Sequence, residues 1–347
     1  MDKLRVGVIG ATGVVGQKFA QLLSAHPYME IASVYASDRS SGHPYSEFLT
    51  FSEDLAEQYG NLEVKGSEPD TIIRDRNDIL FSAVSDANAG KLEKQLAEHG
   101  SIIMTNASAN RLDNTVPLVV PEVNPHHLES VNTSHGLIVA NGNCSTIGMA
   151  LGLAPIFDMG IGDVYVTTLQ AVSGAGYPGV PSLDILSNAV PFIKSEEEKM
   201  VLETGKIFGS FSHSGRSESE LKIHPTCIRV PVREGHLESI TAVMSEDADI
   251  HQLQERFRNY GNGNLKAKLP TLPDKSVILM NGEDRPQPLL DIMAGSPERA
   301  EGMAVTVGRL RVSGSKVSFV LLVNNLIRGA AGSALLNAEL LHESGMI

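Results

Sequence analysis

No apolar run in this 347-residue chain approaches the roughly 18 residues that a membrane helix needs, and its opening residues read as a strand, not a signal peptide. Both features lead us to expect a cytoplasmic protein with no membrane partner. Cysteine is scarce: Cys144 and Cys227 are too few for a disulfide scaffold and suit a reducing compartment. Basic residues are in deficit, 28 against 41 acidic ones, and a net charge of -13 makes a nucleic-acid partner a poor expectation. No His or Cys spacing resembles a zinc site, so no metal is expected. What is present is ordinary globular material, 42% hydrophobic and 20% charged. The length exceeds what one core usually accommodates, so two domains are expected.

The first 140 or so residues alternate strand-like and helix-like segments. Leu4 to Ile9 is short and β-branched, as a buried parallel strand should be, and Ile31–Ala36, Ile79–Val84, Ile102–Thr105 and Leu137–Ala140 continue the series. Val15, Phe19, Leu22 and Leu23 fall on one face of a helix, and Ala87 to His99 forms another, stopped by Gly100. This alternation predicts an α/β domain with a parallel sheet wound on both faces. Further on, Val164–Val172, Thr226–Val232, Leu237–Met244 and Val317–Val323 read as antiparallel strands of a separate α+β unit, with a helix over Asp249–Tyr260. The stretch 262–288 reads as loop, and Gly329–Glu343 as a closing helix.

Gly10-Ala11-Thr12-Gly13-Val14-Val15-Gly16 stands between the first strand and the first helix. Glycines there permit a tight turn and let backbone N–H groups approach a pyrophosphate at the positive helix end. The spacing is GxxGxxG, so a tight turn without ligand is the plain alternative. At the end of the second strand, Arg39 with Ser37, Ser40 and Ser41 makes a cradle for a 2′-phosphate, which favours NADP. Asp38, in the same run, would repel that phosphate if it pointed inward.

Asn141-Gly142-Asn143-Cys144-Ser145-Thr146 precedes an apolar helical stretch. A cysteine at a helix start has its thiolate favoured by unpaired N–H groups and the helix dipole, whereas Cys227, inside a strand-like run, reads as an ordinary buried thiol. An activated thiol beside a nicotinamide points to acyl chemistry with hydride transfer, which needs a proton carrier. Among eleven histidines the best placed is His236, at a glycine turn between two strands.

These residues stand in an order that resembles the aspartate-semialdehyde dehydrogenases of archaea and fungi, nearly end to end. The landmarks are Gly-Ala-Thr-Gly-Val-Val-Gly at 10–16, Asn-Gly-Asn-Cys-Ser-Thr at 141–146 and Leu-Gln-Ala-Val-Ser-Gly-Ala-Gly at 169–176. Glu-Glu-Glu-Lys at 196–199, Arg-Val-Pro-Val-x-x-Gly-His at 229–236 and Asn-Asn-Leu-Ile-Arg-Gly-Ala-Ala-Gly at 324–332 follow. The resemblance implies a Rossmann-type nucleotide domain, residues 1–143 and 325–347, and a glyceraldehyde-3-phosphate-dehydrogenase-like catalytic and dimerisation domain, residues 144–324. It implies a homodimer or homotetramer, and reversible NADPH-dependent reduction of L-aspartyl-4-phosphate to the semialdehyde in amino-acid biosynthesis.

Carried over position by position, the resemblance makes Cys144 the nucleophile, His236 the acid/base and Gln170 an orienting group. Arg229 would grip the substrate α-carboxylate, Glu196 its amino group, and Lys199 and Arg111 the phosphate. Gly10, Thr12, Gly13 and Val15 would line the pyrophosphate, Ser37, Arg39 and Ser40 the 2′-phosphate, and Ser173, Gly174 and Asn325 the nicotinamide. Asn324 stands where an Asp is more usual. Glu196 and Lys199, at i and i+3 beside Glu197 and Glu198, equally fit a solvated helix face. Competing readings are a CoA-dependent acyl reductase such as malonyl-CoA reductase, the related N-acetyl-glutamyl-phosphate reductase, and a catalytically silent NADP-binding regulator.

Overall fold

The computed structural model describes residues 3–50, 53–84, 86–129, 131, 135–212 and 215–347. Short β-branched strands in the first part, too apolar to face water on either side, pair in parallel. They are β1 (Leu4–Ile9), β2 (Met29–Ala36), β3 (Val64–Gly66), β4 (Ile79–Ser82), β5 (Ile102–Thr105) and β6 (Leu137–Ala140), in the order β3-β2-β1-β4-β5-β6. That is the doubly wound order, which places a ligand crevice at the carboxyl end of β1. Helices α1 (Val14–Leu23), α2 (Glu53–Tyr59), α3 (Pro69–Arg74) and α4 (Asp86–Glu98) make the crossings.

Beyond β6 come α5 (Cys144–Leu153), β7 (Ile161–Gln170), α6 (Ser182–Ile185) and α7 (Glu196–Ile207). A small hairpin, β8 (Ser210–Ser212) with β9 (Gly215–Ser217), precedes β10 (Lys222–Arg229) and β11 (His236–Met244). Then follow α8 (Ile250–Asn259), β12 (Val277–Leu279), α9 (Pro288–Asp291), β13 (Val305–Ser313), β14 (Lys316–Val323) and α10 (Gly332–Glu343). The second sheet runs β10-β7-β11-β14-β13-β12. It is mixed, not wholly antiparallel as its sequence suggests, because β10 pairs parallel to β7 and β12 parallel to β13. The chain between β7 and β10 is long enough to carry α7 across, which a parallel pairing requires. Two strands of this sheet escape sequence reading, as do the short β3, β8 and β9. β12 is three residues inside a proline-containing stretch, and β13 loses its alternation where the register shifts between Gly308 and Arg311.

α10 returns to the first sheet, where Ala334, Leu335, Ala338 and Leu341 join the core of Val6, Val8, Phe81 and Val139. The turn before it carries Arg328, which is fully buried and grips fully buried Glu122 with two bonds of 2.8 and 2.6 Å. Ser276 Oγ also donates to Glu122 at 2.7 Å. A buried pair adds little over a hydrophobic replacement, yet removing one partner strands the other charge. Glu122→Gln should therefore cost about 3–5 kcal/mol of unfolding free energy in a denaturant titration. A loss below about 1 kcal/mol would contradict this account of the turn.

Candidate active site

Strand alternation decides which side chains of the second sheet can meet. On β7, Val164, Val166, Thr168 and Gln170 are buried on one face, while Tyr165 and Leu169 point outward. On β10 the same inner face carries Ile223, Cys227 and Arg229, and on β11 it carries His236, Glu238 and Ile240. Arg229 lies opposite Gln170, and Leu237 opposite Leu169, so Arg229, Gln170 and His236 gather at one end of three adjacent strands.

α5 lies over that face. Ser145 to Leu153 are all buried, as in a helix that is apolar all round. Its start is fixed by Asn143, whose Oδ1 accepts from the N–H groups of Ser145 (3.0 Å) and Thr146 (3.1 Å). Asn143 is in turn held by α7: its Nδ2 donates to Glu196 Oε1 at 2.9 Å and its backbone N–H to Glu203 Oε2 at 2.6 Å. Gln170 Nε2 donates to the same Glu196 oxygen at 3.0 Å, and Arg111 Nη1 to Glu203 Oε1 at 2.8 Å. The solvated-face reading of Glu196 and Lys199 thus fails for Glu196, which is buried, while Lys199 is half-buried beside the cavity. Of their neighbours Glu198 is exposed, and Glu197, also exposed, accepts from the Cys227 N–H at 3.0 Å.

Cys144 is the first residue of α5, partly open to a cavity of about 720 Å³. That cavity is also lined by Arg111, Gln170, Glu196, Lys199 and Arg229, and it reaches Ser173, Gly174 and Asn325 and then Gly13 and Val15 of the glycine turn. His236 lies just beneath: a methyl on Gly174 would stand 3.2 Å from its Nε2 and 2.8 Å from Arg229 Nη1. Gly329 is equally constrained, since a Cβ there would fall 2.5 Å from the Cys144 Cβ. Gly10 has φ of +80°, and a Cβ at Gly16 would strike the Gly10 carbonyl oxygen, so the turn needs both glycines. Thr12 is half-buried in that turn. Ser37, Asp38 and Arg39 are exposed and Ser40 buried in the turn after β2, outside the cavity walls.

A model of the semialdehyde dehydrogenase NAD-binding domain matches residues 5–131, and one of the semialdehyde dehydrogenase dimerisation domain matches 153–328. The chain belongs to the semialdehyde dehydrogenase family. It is 40% identical to an aspartate-semialdehyde dehydrogenase of Archaeoglobus fulgidus, with 99% of each chain covered. It is 35% identical to a malonyl CoA reductase (NADP) of Metallosphaera sedula, covering 99% of this chain and 98% of that one. A crystal structure of aspartate semialdehyde dehydrogenase with NADP from Candida albicans superposes with a TM-score of 0.89 at 35% identity, covering 99% and 100% of the two chains.

In this chain the helix start does not activate the resting sulfur as the sequence suggests. Burial pushes the Cys144 thiol up to about 12 and Glu196 adds to that, against the opposing pull of Arg111, the Ser145 N–H and Arg229. The helical N–H groups expected to favour a thiolate are already shared with the Asn143 cap. His236 is driven the other way, down to about 3, by burial and by Arg229, so it is a neutral imidazole at ordinary pH. Its Nδ1 accepts from the Ala171 N–H at 3.1 Å, which leaves the hydrogen on Nε2. Nε2 has no partner among the described residues. Cys227 is buried against Met200, as an ordinary core thiol.

Asn324 has a plain role. Its Oδ1 accepts from the N–H groups of Leu326 (3.1 Å) and Ile327 (2.9 Å), an acceptor that Asp would supply equally. Asn325 ties the turn before His236 to Ser173, accepting from Gly235 N–H at 2.8 Å and donating to Ser173 Oγ at 2.9 Å. Sequence reading gave no role to Asn143 or Glu203, although Glu203 stands at i+7 from Glu196, on the same helix face. It also passed over Glu238, fully buried next to His236 on the inner face, which burial and Glu196 hold well above the usual carboxylate range.

A thiol raised this far is protonated at neutral pH and loses its proton only in strong alkali. In a Cys227→Ala background the alkylation rate of Cys144 in the ligand-free protein should rise steadily as pH climbs past about 9. A plateau already reached near neutrality would contradict the electrostatic picture.

Proposed function

We propose that the protein is an aspartate-semialdehyde dehydrogenase that reduces L-aspartyl-4-phosphate to L-aspartate 4-semialdehyde with NADPH and releases phosphate, reversibly. One observation carries the reading: a sulfur, a guanidinium and a carboxylate line one cavity that extends to a dinucleotide-type glycine turn, with an imidazole directly beneath. The relatives named aspartate-semialdehyde dehydrogenase, and the similar structure titled as solved with NADP, support the substrate and the cofactor.

The dinucleotide fits this chain. Gly13 is exposed at the start of α1, where a side chain would otherwise stand between the turn and an anion, and Ser173, Gly174 and Asn325 line the cavity farther in. Gly10, Thr12, Gly13 and Val15 would hold the pyrophosphate. Ser37, Arg39 and Ser40, in the turn after β2, would take the 2′-phosphate, with Asp38 exposed beside them. When bound, the cofactor supplies the hydride.

The chain's own groups do the rest. Arg229, anchored by Nη1 on the Ala171 carbonyl at 2.6 Å, would hold the α-carboxylate. Glu196 would take the α-ammonium, and Lys199 and Arg111 the phosphate. The α-ammonium offsets Glu196, one of the groups that hold the Cys144 proton in place, while the α-carboxylate on Arg229 and the phosphate on Arg111 offset the cations that oppose it, so the thiol is the form that meets the substrate. Attack by the Cys144 sulfur on the acyl carbon breaks the bond to the phosphate oxygen, the thiol proton leaves on the departing phosphate, and the thioester that remains is oriented by Gln170. After hydride transfer, His236 donates from Nε2 to the oxygen of the thiohemiacetal and takes the proton back as the aldehyde forms.

A malonyl-CoA reductase would share the cysteine, the histidine and Arg229. Malonate has no amino group, so a carboxylate inside the cavity at Glu196 favours aspartate. In the same reading residues 1–143 and 325–347 form the nucleotide domain and 144–324 the catalytic one. The protein is cytoplasmic and works as a homodimer or homotetramer, its match to a dimerisation domain supporting self-association. Among the described residues no helix is long and apolar enough to cross a membrane.

Aspartate semialdehyde, NADP and inorganic phosphate should together give reduced cofactor, and Cys144→Ser should lower that rate by at least about 1000-fold while cofactor binding persists. Full activity in the serine variant would remove the assignment. Turnover only when coenzyme A replaces phosphate would favour the acyl-CoA reductase.

A further inference from the structure

We infer that Lys206 is a positioning residue for the phosphate half of the active site, holding the loop that delivers Arg111. The inference rests on Arg111 meeting phosphate, as proposed above, and goes beyond it by naming what sets the strength of that contact.

Lys206 is 1% exposed near the C-terminal end of α7. Its Nζ donates to three backbone carbonyls, those of Arg111 (2.7 Å), Asp113 (2.8 Å) and Val116 (2.6 Å). An ammonium has three N–H donors and no acceptor, so three carbonyls from one loop saturate it. The loop between β5 and β6 has no sheet or helix of its own there; three of its carbonyls turn inward to this cation, while that of Leu112 accepts from Arg216 Nη1 at 3.0 Å nearer the surface. Asp113 and Glu203 add negative charge around Lys206, Arg216 opposes it, and Phe211 presents its ring 5.8 Å away. His127 also senses the Lys206 charge.

The same face of α7 grips the Arg111 side chain. Glu196, Lys199, Glu203 and Lys206 stand at i, i+3, i+7 and i+10. Glu203 fixes Nη1 of Arg111, and Nη2 donates to the Asn106 carbonyl at 2.6 Å. Nε has no acceptor among the described residues. The guanidinium is thus held at both terminal nitrogens and its backbone is held from below by Lys206. One helix therefore carries the candidate amino-group ligand at its first residue and the support for the phosphate ligand ten residues later. Neither Glu203 nor Lys206 lines the cavity: Lys206 acts through the Arg111 loop, and Glu203 through both Arg111 and the Asn143 N–H.

Lys206→Met would deprive two buried carbonyls and one part-buried carbonyl of their donor and let the loop move. Lys206→Gln, with two donors in place of three, is the milder variant. In the phosphate-dependent reaction with the full chain, Lys206→Met should raise the KM for phosphate at least about tenfold, and Lys206→Gln less. The KM values for aspartate semialdehyde and NADP should stay within about twofold. In an Arg111→Ala background the same Lys206 substitutions should change the phosphate KM no further, because their effect runs through that side chain. An unmoved phosphate KM in both variants, a parallel rise in all three KM values, or full additivity with Arg111→Ala would each overturn the inference. If Lys206→Met does not fold, the cycle is read with Lys206→Gln. Failure of the intact protein to use phosphate at all would instead remove the proposed function, and this inference with it.

Discussion

Asn143 joins the parts of the site through both ends of its side chain and its own N–H. Its Oδ1 starts α5, its Nδ2 reaches Glu196, and its N–H reaches Glu203. The cap alone is worth about 1 kcal/mol, an ordinary amount. The bonds to two buried carboxylates matter more, because each would leave a charged oxygen short of a donor if broken. Cys144 therefore stands where it does because the preceding residue is fixed from three directions. The helix it begins cannot slide, being buried along its length and pressed at its start by Gly329.

The electrostatics follow from the same enclosure. Taking a sulfur out of water favours the thiol, and taking an imidazole out of water favours its neutral form, so the two groups are held as an uncharged pair instead of a resting ion pair. Arg111 and Arg229 oppose Glu196 at the sulfur, which leaves its protonation open to the charge that a ligand brings. A thiol held protonated at rest is protected from adventitious oxidation, since the thiolate is the reactive form.

Much of this was legible in the chain. The period of the first strands and the glycine turn specify the parallel sheet, and they do so locally, through residues four to nine and ten to sixteen. Cys144, Arg229 and His236 were legible as well, because each sits at a junction whose neighbours are glycine, proline or small polar residues. The parallel pairing of β10 with β7 was not legible, since it depends on where α7 crosses and not on either strand's own pattern. The inward turn of Glu196 was hidden by its acidic neighbours, whose composition alone describes a wet surface. The raised Cys144 thiol was missed for a different reason: a helix start predicts free N–H groups, and only the folded chain shows Asn143 sharing them.

The central claim is that Cys144 becomes acylated during turnover within this buried junction. It is tested most directly by mixing the protein with aspartate semialdehyde and NADP in the absence of phosphate, and following the first turnover by absorbance and peptide mass. The account predicts a rapid burst of about one reduced cofactor per chain and an aspartyl adduct on the peptide that contains Cys144. A burst with the adduct on another residue, or one that persists undiminished in Cys144→Ala, would contradict it.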